Sequence, residues 1–337
     1  MKVAYLIQEI ACASGKGDGV RNQAWTWAEG LKGLGVDVHL ASPWDIKNFY
    51  DYDIVHMFGY YPAIERDLLY LKSKFRAKVG LSPIIDTNRP PWVSKVASYL
   101  HAPRLHMYSS LGSLRKSLNL LDGWFARSEY EKNYIHKAFG VPDNRLFKAM
   151  LSTRMPGIAN SSAKREDFCL LVSYLPSARK NIWRLIDAAI KYNFRLVLAG
   201  SKVSPEKYEQ LLARVKGYSN IEVVGYQTDE RLLDLYRRAR VFALPSTLEG
   251  VGLVALEAAA NGCDIVLTEW GGPKEYYNGM AKLVNPLSVD EIGKSVRAFL
   301  DGETFQPALM DYVRENHSLE KSAEVLYQSY EAMLSRR

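Results

Sequence analysis

Leu244-Pro245-Ser246-Thr247-Leu248-Glu249-Gly250-Val251-Gly252-Leu253-Val254-Ala255-Leu256-Glu257-Ala258-Ala259-Ala260-Asn261-Gly262 is the stretch around which the chain is organised. It begins at the end of an apolar run, Val241 to Leu244, short enough for a buried strand. Pro245, Gly250 and Gly252 then break the chain, and Leu253 to Asn261 reads as a helix that Gly262 ends. One carboxylate, Glu249, falls in the loop, and another, Glu257, on the helix. The first N–H groups of a helix are unpaired and partly positive, which suits phosphate. Carboxylates beside them would repel phosphate and serve better as acceptors for hydroxyls. A nucleotide-sugar, with phosphate in the middle and hydroxyls on both sides, meets both needs. The same residues also fit a plain βα turn with two solvated glutamates.

Outward from this stretch, composition sets the bounds. A length of 337 residues allows two domains of ordinary size. Hydrophobic content of 47% and charged content of 24% are those of a soluble globular chain. No apolar run reaches the roughly 18 residues a membrane-spanning helix needs. The N-terminus turns polar at Gln8-Glu9, too soon for a signal peptide, and reads as a first strand. Cys12, Cys169 and Cys263 lie far apart without a Cys-x-x-Cys pair, so free thiols in a reducing cytoplasm are expected, with neither disulfide nor zinc. The net charge of +7 sits mostly in residues 1–150, which hold 20 Lys and Arg against 14 Asp and Glu. No recognition motif accompanies it, so nucleic acid is not an expected partner. An anionic membrane face or a phosphate-bearing acceptor explains the asymmetry at least as well.

Both halves alternate strands with helices, the pattern of parallel sheets whose ligands sit at the strands' carboxyl ends. Strands are expected at Lys2 to Ile10, Val36 to Ala41, Asp53 to Phe58 and Lys78 to Ile85, with helices at Gly19 to Leu34 and Glu129 to Phe139. The loop Gly15-Lys16-Gly17-Asp18-Gly19 misses the dinucleotide fingerprint, because Val20 replaces its third glycine. Asp51-Tyr52-Asp53 precedes a buried strand without a second ligand cluster and reads as a solvated turn, not a metal motif. His56 reads as a satisfied sheet-end histidine. A loop-like stretch around 156–165 marks a hinge. The second half resumes at Phe168 to Val172, with strands at Arg195 to Ala199, Ile221 to Val224, Val241 to Leu244, Asp264 to Thr268 and Ala281 to Val284. Helices include Ile182 to Tyr192 and Val289 to Leu300, and an amphipathic helix closes the sequence from Ser318. Leu111, Leu114, Leu118 and Leu121, beside Arg115 and Lys116, fit either an interfacial membrane helix or one packed on its own sheet; Lys72, Lys74, Arg76 and Lys78 add positive charge to that domain.

Glu249 and Glu257, eight positions apart in Glu-Gly-Val-Gly-Leu-Val-Ala-Leu-Glu, resemble the Glu-x7-Glu signature of glycosyltransferase family 4. The family's pattern continues in Ala239, Pro245-Ser246, Ala258, Gly262, Gly271-Gly272, Glu275 and Asn285-Pro286. The resemblance covers nearly the whole chain, by motif from about residue 165 onward and by layout before it. It implies an α/β GT-B fold, two Rossmann-like domains with parallel sheets facing across a cleft. On that plan, residues 1–155 form the acceptor-side domain, 156–166 the hinge and 167–315 the nucleotide-sugar domain; 316–337 form a helix crossing back to the first. It implies a retaining, metal-independent transferase moving a hexose-type sugar from a nucleoside diphosphate-sugar to a glycan, lipid-linked or small-molecule acceptor. UDP or GDP is expected ahead of ADP, no separate cofactor is expected, and the cytoplasm, with peripheral contact to an anionic membrane, is the expected location.

Transfer from a sugar nucleotide must stabilise charge developing on a diphosphate, and preorganised cations and backbone dipoles can do so. Arg179-Lys180-Asn181 opens the helix Ile182 to Tyr192, where helix-dipole complementarity would prefer acids. Such a local inconsistency points to function. By resemblance, Lys180 matches the family's lysine, while Tyr174 stands where the family has an arginine, leaving Arg179 to supply that charge. Glu249 would accept from donor-sugar hydroxyls and support an oxocarbenium-like transition state, and Glu257 would bind ribose. Gly250, Val251, Gly252, Leu253 and Val254 would offer N–H groups to phosphate, while Ser173, Gly225 and Tyr226 complete the donor side, the last two at the base. Gly17, Asp18 and Gly19 resemble the family's first-strand glycine loop, and Asp86 is the polar residue nearest its missing fourth-strand histidine. A nucleotide-sugar epimerase or phosphorylase on the same fold, and a non-catalytic sugar-nucleotide binding module, are the alternatives.

Overall fold

The structure, a computed structural model, describes residues 1–8, 19–42, 49–100, 109–155 and 165–336. The chain forms two units, Met1–Ser152 joined by Leu319–Arg337, and Thr153–Ser318. Of the expected hinge, only its last two residues are among those described, and Glu166 already opens a strand.

Unit 1 is built on β1 (Lys2–Ile7), α1 (Gly19–Gly33), β2 (Asp37–Leu40), β3 (Ile54–Phe58), α2 (Ile64–Lys74), β4 (Lys78–Ser82), α3 (Pro91–Ala97), α4 (Ser110–Lys116), β5 (Gly123–Ala126), α5 (Glu129–Phe139) and β6 (Leu146–Lys148). Its six strands run in the order β2-β1-β3-β4-β5-β6, all parallel. Every residue of β3 and β5 is buried, as a parallel sheet covered on both faces requires. One face packs Leu68, Leu114, Trp124 and Ile135 into a continuous core. On the other lie Trp27, Phe58 and Phe125, with Tyr330 of the closing helix Leu319–Leu334. That helix approaches α1 closely because Gly30 has no side chain: a Cβ there would lie 2.8 Å from the Ala323 methyl.

His56 is fully buried in this aromatic layer, its Nδ1 2.6 Å from Tyr330 Oη and its Nε2 2.8 Å from Ser82 Oγ. Burial pushes its pKa down from 6.5 to about 3. Both ring nitrogens are therefore used structurally, as the sequence suggests. Asp53 Oδ2 accepts from the Lys2 N–H at 2.7 Å, and a 3-10 turn covers Phe49–Asp51. Strand β4 ends at Ser82 instead of Ile85, because Pro83 cannot donate to a ladder and Ile84 adopts a φ of 57°.

The leucines of 111–121 do not face lipid. Leu114 and Leu121 are buried and Leu111 and Leu118 pack against the same core. Arg115 lies over the Tyr99 ring at 4.2 Å and donates to Ala138 O, while Lys72 and Lys78 pair with Asp122. Exposed apolar side chains among the described residues include Trp92, Val96, Tyr99 and Leu100, on and just after α3.

Unit 2 contains β7 (Glu166–Val172), α6 (Ile182–Lys191), β8 (Arg195–Ala199), α7 (Pro205–Val215), β9 (Ile221–Gly225), α8 (Asp229–Arg238), β10 (Ala239–Leu244), α9 (Leu253–Ala260), β11 (Asp264–Thr268), β12 (Lys282–Val284), α10 (Val289–Leu300) and α11 (Ala308–Asn316). The unit-1 helix Leu319–Leu334 is α12. The parallel order β12-β11-β10-β7-β8-β9 is the doubly wound Rossmann arrangement. Strand order reverses between β7 and β10, so the loops after Val172 and Leu244 flank the switch point where such folds bind ligands.

Candidate active site

The loop after β10 and the loop after β7 meet at this reversal. Thr247 N–H donates to Arg179 O at 2.9 Å. Asn181, buried with a φ of 59°, donates from Nδ2 to Pro245 O at 2.9 Å and to Pro286 O at 2.5 Å. These contacts fix Lys180, whose Nζ donates to Glu249 Oε2 at 2.5 Å; Ser246 Oγ donates to the same oxygen at 3.0 Å. The two side chains keep only 15% and 7% of their exposure, so the pair is largely withdrawn from water. Its local dielectric is low, and each charge depends on the other.

Two glycines shape the floor. Gly252 takes a φ of +75° and is the N-cap of α9, so the cap residue itself gives no side-chain hydrogen bond to the first turn. Gly271, with a φ of +79°, lies where a Cβ would come within 2.7 Å of Glu249 O. Any larger residue would be strained and would displace the Glu249 backbone. Gly250 and Val251 follow Glu249 in the loop, and Leu253 and Val254 open α9, so the expected phosphate loop runs directly on from the Lys180–Glu249 pair.

At the ends of the neighbouring strands, Ser173 N–H donates to Ala199 O at 3.0 Å, and Gly200 N–H to Gly225 O at 2.8 Å. Ser173, Gly200 and Gly225 thus line up along the carboxyl edge of β7, β8 and β9. Tyr226 projects beyond it, 70% exposed, in a position to offer its ring. Tyr174 and Arg179 are exposed on the loop after β7.

Glu257 stands differently from a solvated helix carboxylate. It is 3% exposed, with Tyr236 Oη donating to its Oε2 at 3.3 Å and Arg154 Nε 3.4 Å from its Oε1. Arg154 Nη1 also donates to Asp229 Oδ2 at 3.0 Å. Burial pushes Glu257 up to about 7, against the opposing pull of Arg154 and the Tyr236 hydrogen bond. Sequence reasoning missed Arg154, Asp229 and Tyr236, because nothing local to those residues marks them.

In unit 1, Asp86 lies at the partly exposed edge of an ionic cluster whose Arg127 and Glu131 are buried. Arg127 Nη2 donates to Asp86 Oδ1 and Nε to Glu131 Oε2, both at 2.8 Å, and Ile85 N–H donates to Glu131 Oε1 at 2.6 Å. Gly19 opens α1, while Gly17 and Asp18 lie outside the described residues. A polar cavity of about 420 Å³, lined by Lys78, Asp122, Arg145 and Arg336 among others, lies at the amino ends of β4, β5 and β6, the wrong end of a parallel sheet for the chemistry. Among the described residues no three His, Cys, Asp or Glu side chains gather as a metal site, and no helix is long and apolar enough to cross a membrane.

Known proteins share both the fold and the motif-bearing half. Residues 159–317 match the family Glycosyl transferases group 1. The serotype-specific mannosyltransferase WbdA of Escherichia coli is 28% identical over 181 residues, 51% of this chain; the chain spans only 21% of that relative's length. Sucrose-phosphate synthase from Thermosynechococcus elongatus superposes with a TM-score of 0.73 at 18% identity, covering 98% of each chain. The pneumococcal O-GlcNAc transferase GtfA, solved with UDP and GlcNAc, gives a TM-score of 0.62 at 15% identity over 93% of this chain and 60% of its own. The fold is therefore GT-B, and residues 159–317 carry the similarity to the glycosyl transferases group 1 family.

Proposed function

We propose that the chain is a retaining, metal-independent glycosyltransferase that moves a hexose-type sugar from a nucleoside diphosphate-sugar. The observation that carries this is the Lys180–Glu249 pair beside the Gly252-capped start of α9, with Glu257 eight positions onward. Lys180 Nζ donates to Glu249 Oε2 and neutralises it. A bound diphosphate competes for the ammonium, and the N–H groups at the start of α9 share its charge. Glu249, released from Lys180, then accepts from the sugar hydroxyls and faces positive charge developing at the anomeric carbon. Arg179, at the mouth of the same loop, supplies the cation that Tyr174 does not. Glu257 takes the ribose, and Gly225 and Tyr226 take the base.

The mannosyltransferase name of one relative and the UDP in one structural neighbour support a UDP- or GDP-hexose donor. Unit 1 is assigned the glycan, lipid-linked or small-molecule acceptor, with Asp86 as its acidic contact. A peripheral contact with anionic lipid is assigned to Trp92, Val96, Tyr99 and Leu100, beside Lys95.

Thermal stabilisation by UDP, GDP, ADP and their sugars tests the donor assignment. A ligand at about 100 times its Kd adds roughly 2.7 kcal/mol if it binds only the folded protein. One nucleotide class should stabilise wild type and lose that effect in Glu257→Ala and Lys180→Ala. Stabilisation by none of them would remove the transferase and the binding-module alternatives together.

A further inference from the structure

We propose that Arg154 is a positioning residue of the nucleotide site, holding the Glu257 carboxylate oriented and ionised so that it accepts both ribose hydroxyls. This rests on the assignment of Glu257 to ribose. Arg154 lies where the chain enters unit 2, on a segment anchored by the Thr153 N–H donating to His317 O at 3.1 Å. Its guanidinium spans two carboxylates, Nη1 on Asp229 and Nε beside Glu257. A planar, multi-donor fork is suited to that bridge; an ammonium is a single point charge.

Among the described residues, Arg154 is the partner of Glu257 Oε1 and Tyr236 that of Oε2. A carboxylate offers about four acceptor positions, so one remains on each oxygen, the pattern that receives a vicinal diol bidentately. Among the described residues, the charged and titratable groups facing Glu257 are Arg154, Tyr236 and Asp229. Arg154 is the cation among them, and Asp229 adds negative charge. Without Arg154 the buried acid keeps its proton further into the alkaline range. A protonated carboxyl loses the charge-assisted bonds to ribose.

The test is calorimetric titration with UDP, GDP and ADP from pH 6 to 9. It uses wild type, Arg154→Met, Arg154→Lys and Glu257→Gln, each checked for folding by its melting curve. Because losing a contacting opposite charge raises a carboxyl by about one to three units, Arg154→Met should bind at least about fivefold more weakly than wild type at pH 7. That gap should narrow at least about fivefold by pH 9, as Glu257 ionises without help. Arg154→Lys should keep the wild-type pH profile with a several-fold weaker affinity, and it decides the matter alone if Arg154→Met does not fold. Glu257→Gln should bind weakly at every pH. A loss in Arg154→Met that is equal at all pH values, or a lysine variant no better than methionine, would overturn the proposal in favour of simple packing. Wild-type affinity in Arg154→Met alongside loss in Glu257→Gln overturns the role of Arg154 alone. No nucleotide binding by wild type overturns it together with the ribose assignment.

Discussion

Lys180→Ala should destabilise unit 2 well beyond the loss of a surface charge. Lys180 and Glu249 keep only 15% and 7% of their side-chain exposure, and Ser246 is the other donor to the shared oxygen. Removing one partner of a fully buried ion pair costs about 3–5 kcal/mol. Residual solvent at Lys180 and the remaining hydroxyl bond lower the expectation to about 2–3 kcal/mol. Glu249→Gln should cost less, about 1 kcal/mol, since a lysine can extend its ammonium toward water. The double variant Lys180→Ala/Glu249→Gln carries no uncompensated charge, and a coupling energy of about 1.5–2 kcal/mol is expected. Urea unfolding monitored at pH 7.5 reads these differences. At a slope of about 2 kcal/mol per molar, Lys180→Ala moves the midpoint by roughly 1 M. A shift under about 0.5 kcal/mol, or additive effects in the double variant, would refute the mutual dependence of the two charges.

Acid should weaken unit 1 through His56, whose folded pKa of about 3 lies below its ordinary 6.5. The unfolded chain binds that proton first, so stability is lost as pH falls below 6.5, by about 2 kcal/mol at pH 5; His56→Gln should flatten the slope between pH 7 and 5 in urea titrations. Glu257 acts oppositely in unit 2: raised to about 7, it makes that unit gain stability as pH falls from 7 toward 4.5, a gain that Glu257→Gln should abolish. Gly271→Ala, strained at φ +79° and pressed on the Glu249 backbone, should melt lower by about 1–3 kcal/mol equivalent and weaken nucleotide-sugar binding in the same titration. Trp92→Ser/Leu100→Ser should abolish sedimentation with anionic vesicles without changing donor binding; unchanged sedimentation would clear that surface of the role.

Most of the secondary structure was legible because local signals and burial agree. Ser128 and Ser288 each accept the N–H of the glutamate three positions on, so α5 and α10 begin where the capping pattern says. The central strands carry runs of buried, mostly apolar residues, as a sheet covered on both faces demands. Strand β6 spans only Leu146–Lys148, too short for any periodicity to register. The leucines of 111–121 show the limit of pattern: the same spacing serves a core or a bilayer, and only packing decides between them. Glu249 and Lys180 could be singled out separately, but their contact joins residues 69 positions apart. Arg154 bears no sequence mark at all; its meaning comes from Asp229, 75 positions away, and from Glu257.

Proton NMR of the sugar leaving an α-linked UDP- or GDP-hexose, with and without acceptor, tests the transferase assignment most directly. Wild type should release or transfer the sugar initially as the α anomer, and Glu249→Gln should leave the donor intact over the same period. A β product would contradict retention. A donor isomerised without acceptor would indicate an epimerase. A donor that binds tightly yet stays intact with every acceptor would leave a binding module in place of an enzyme.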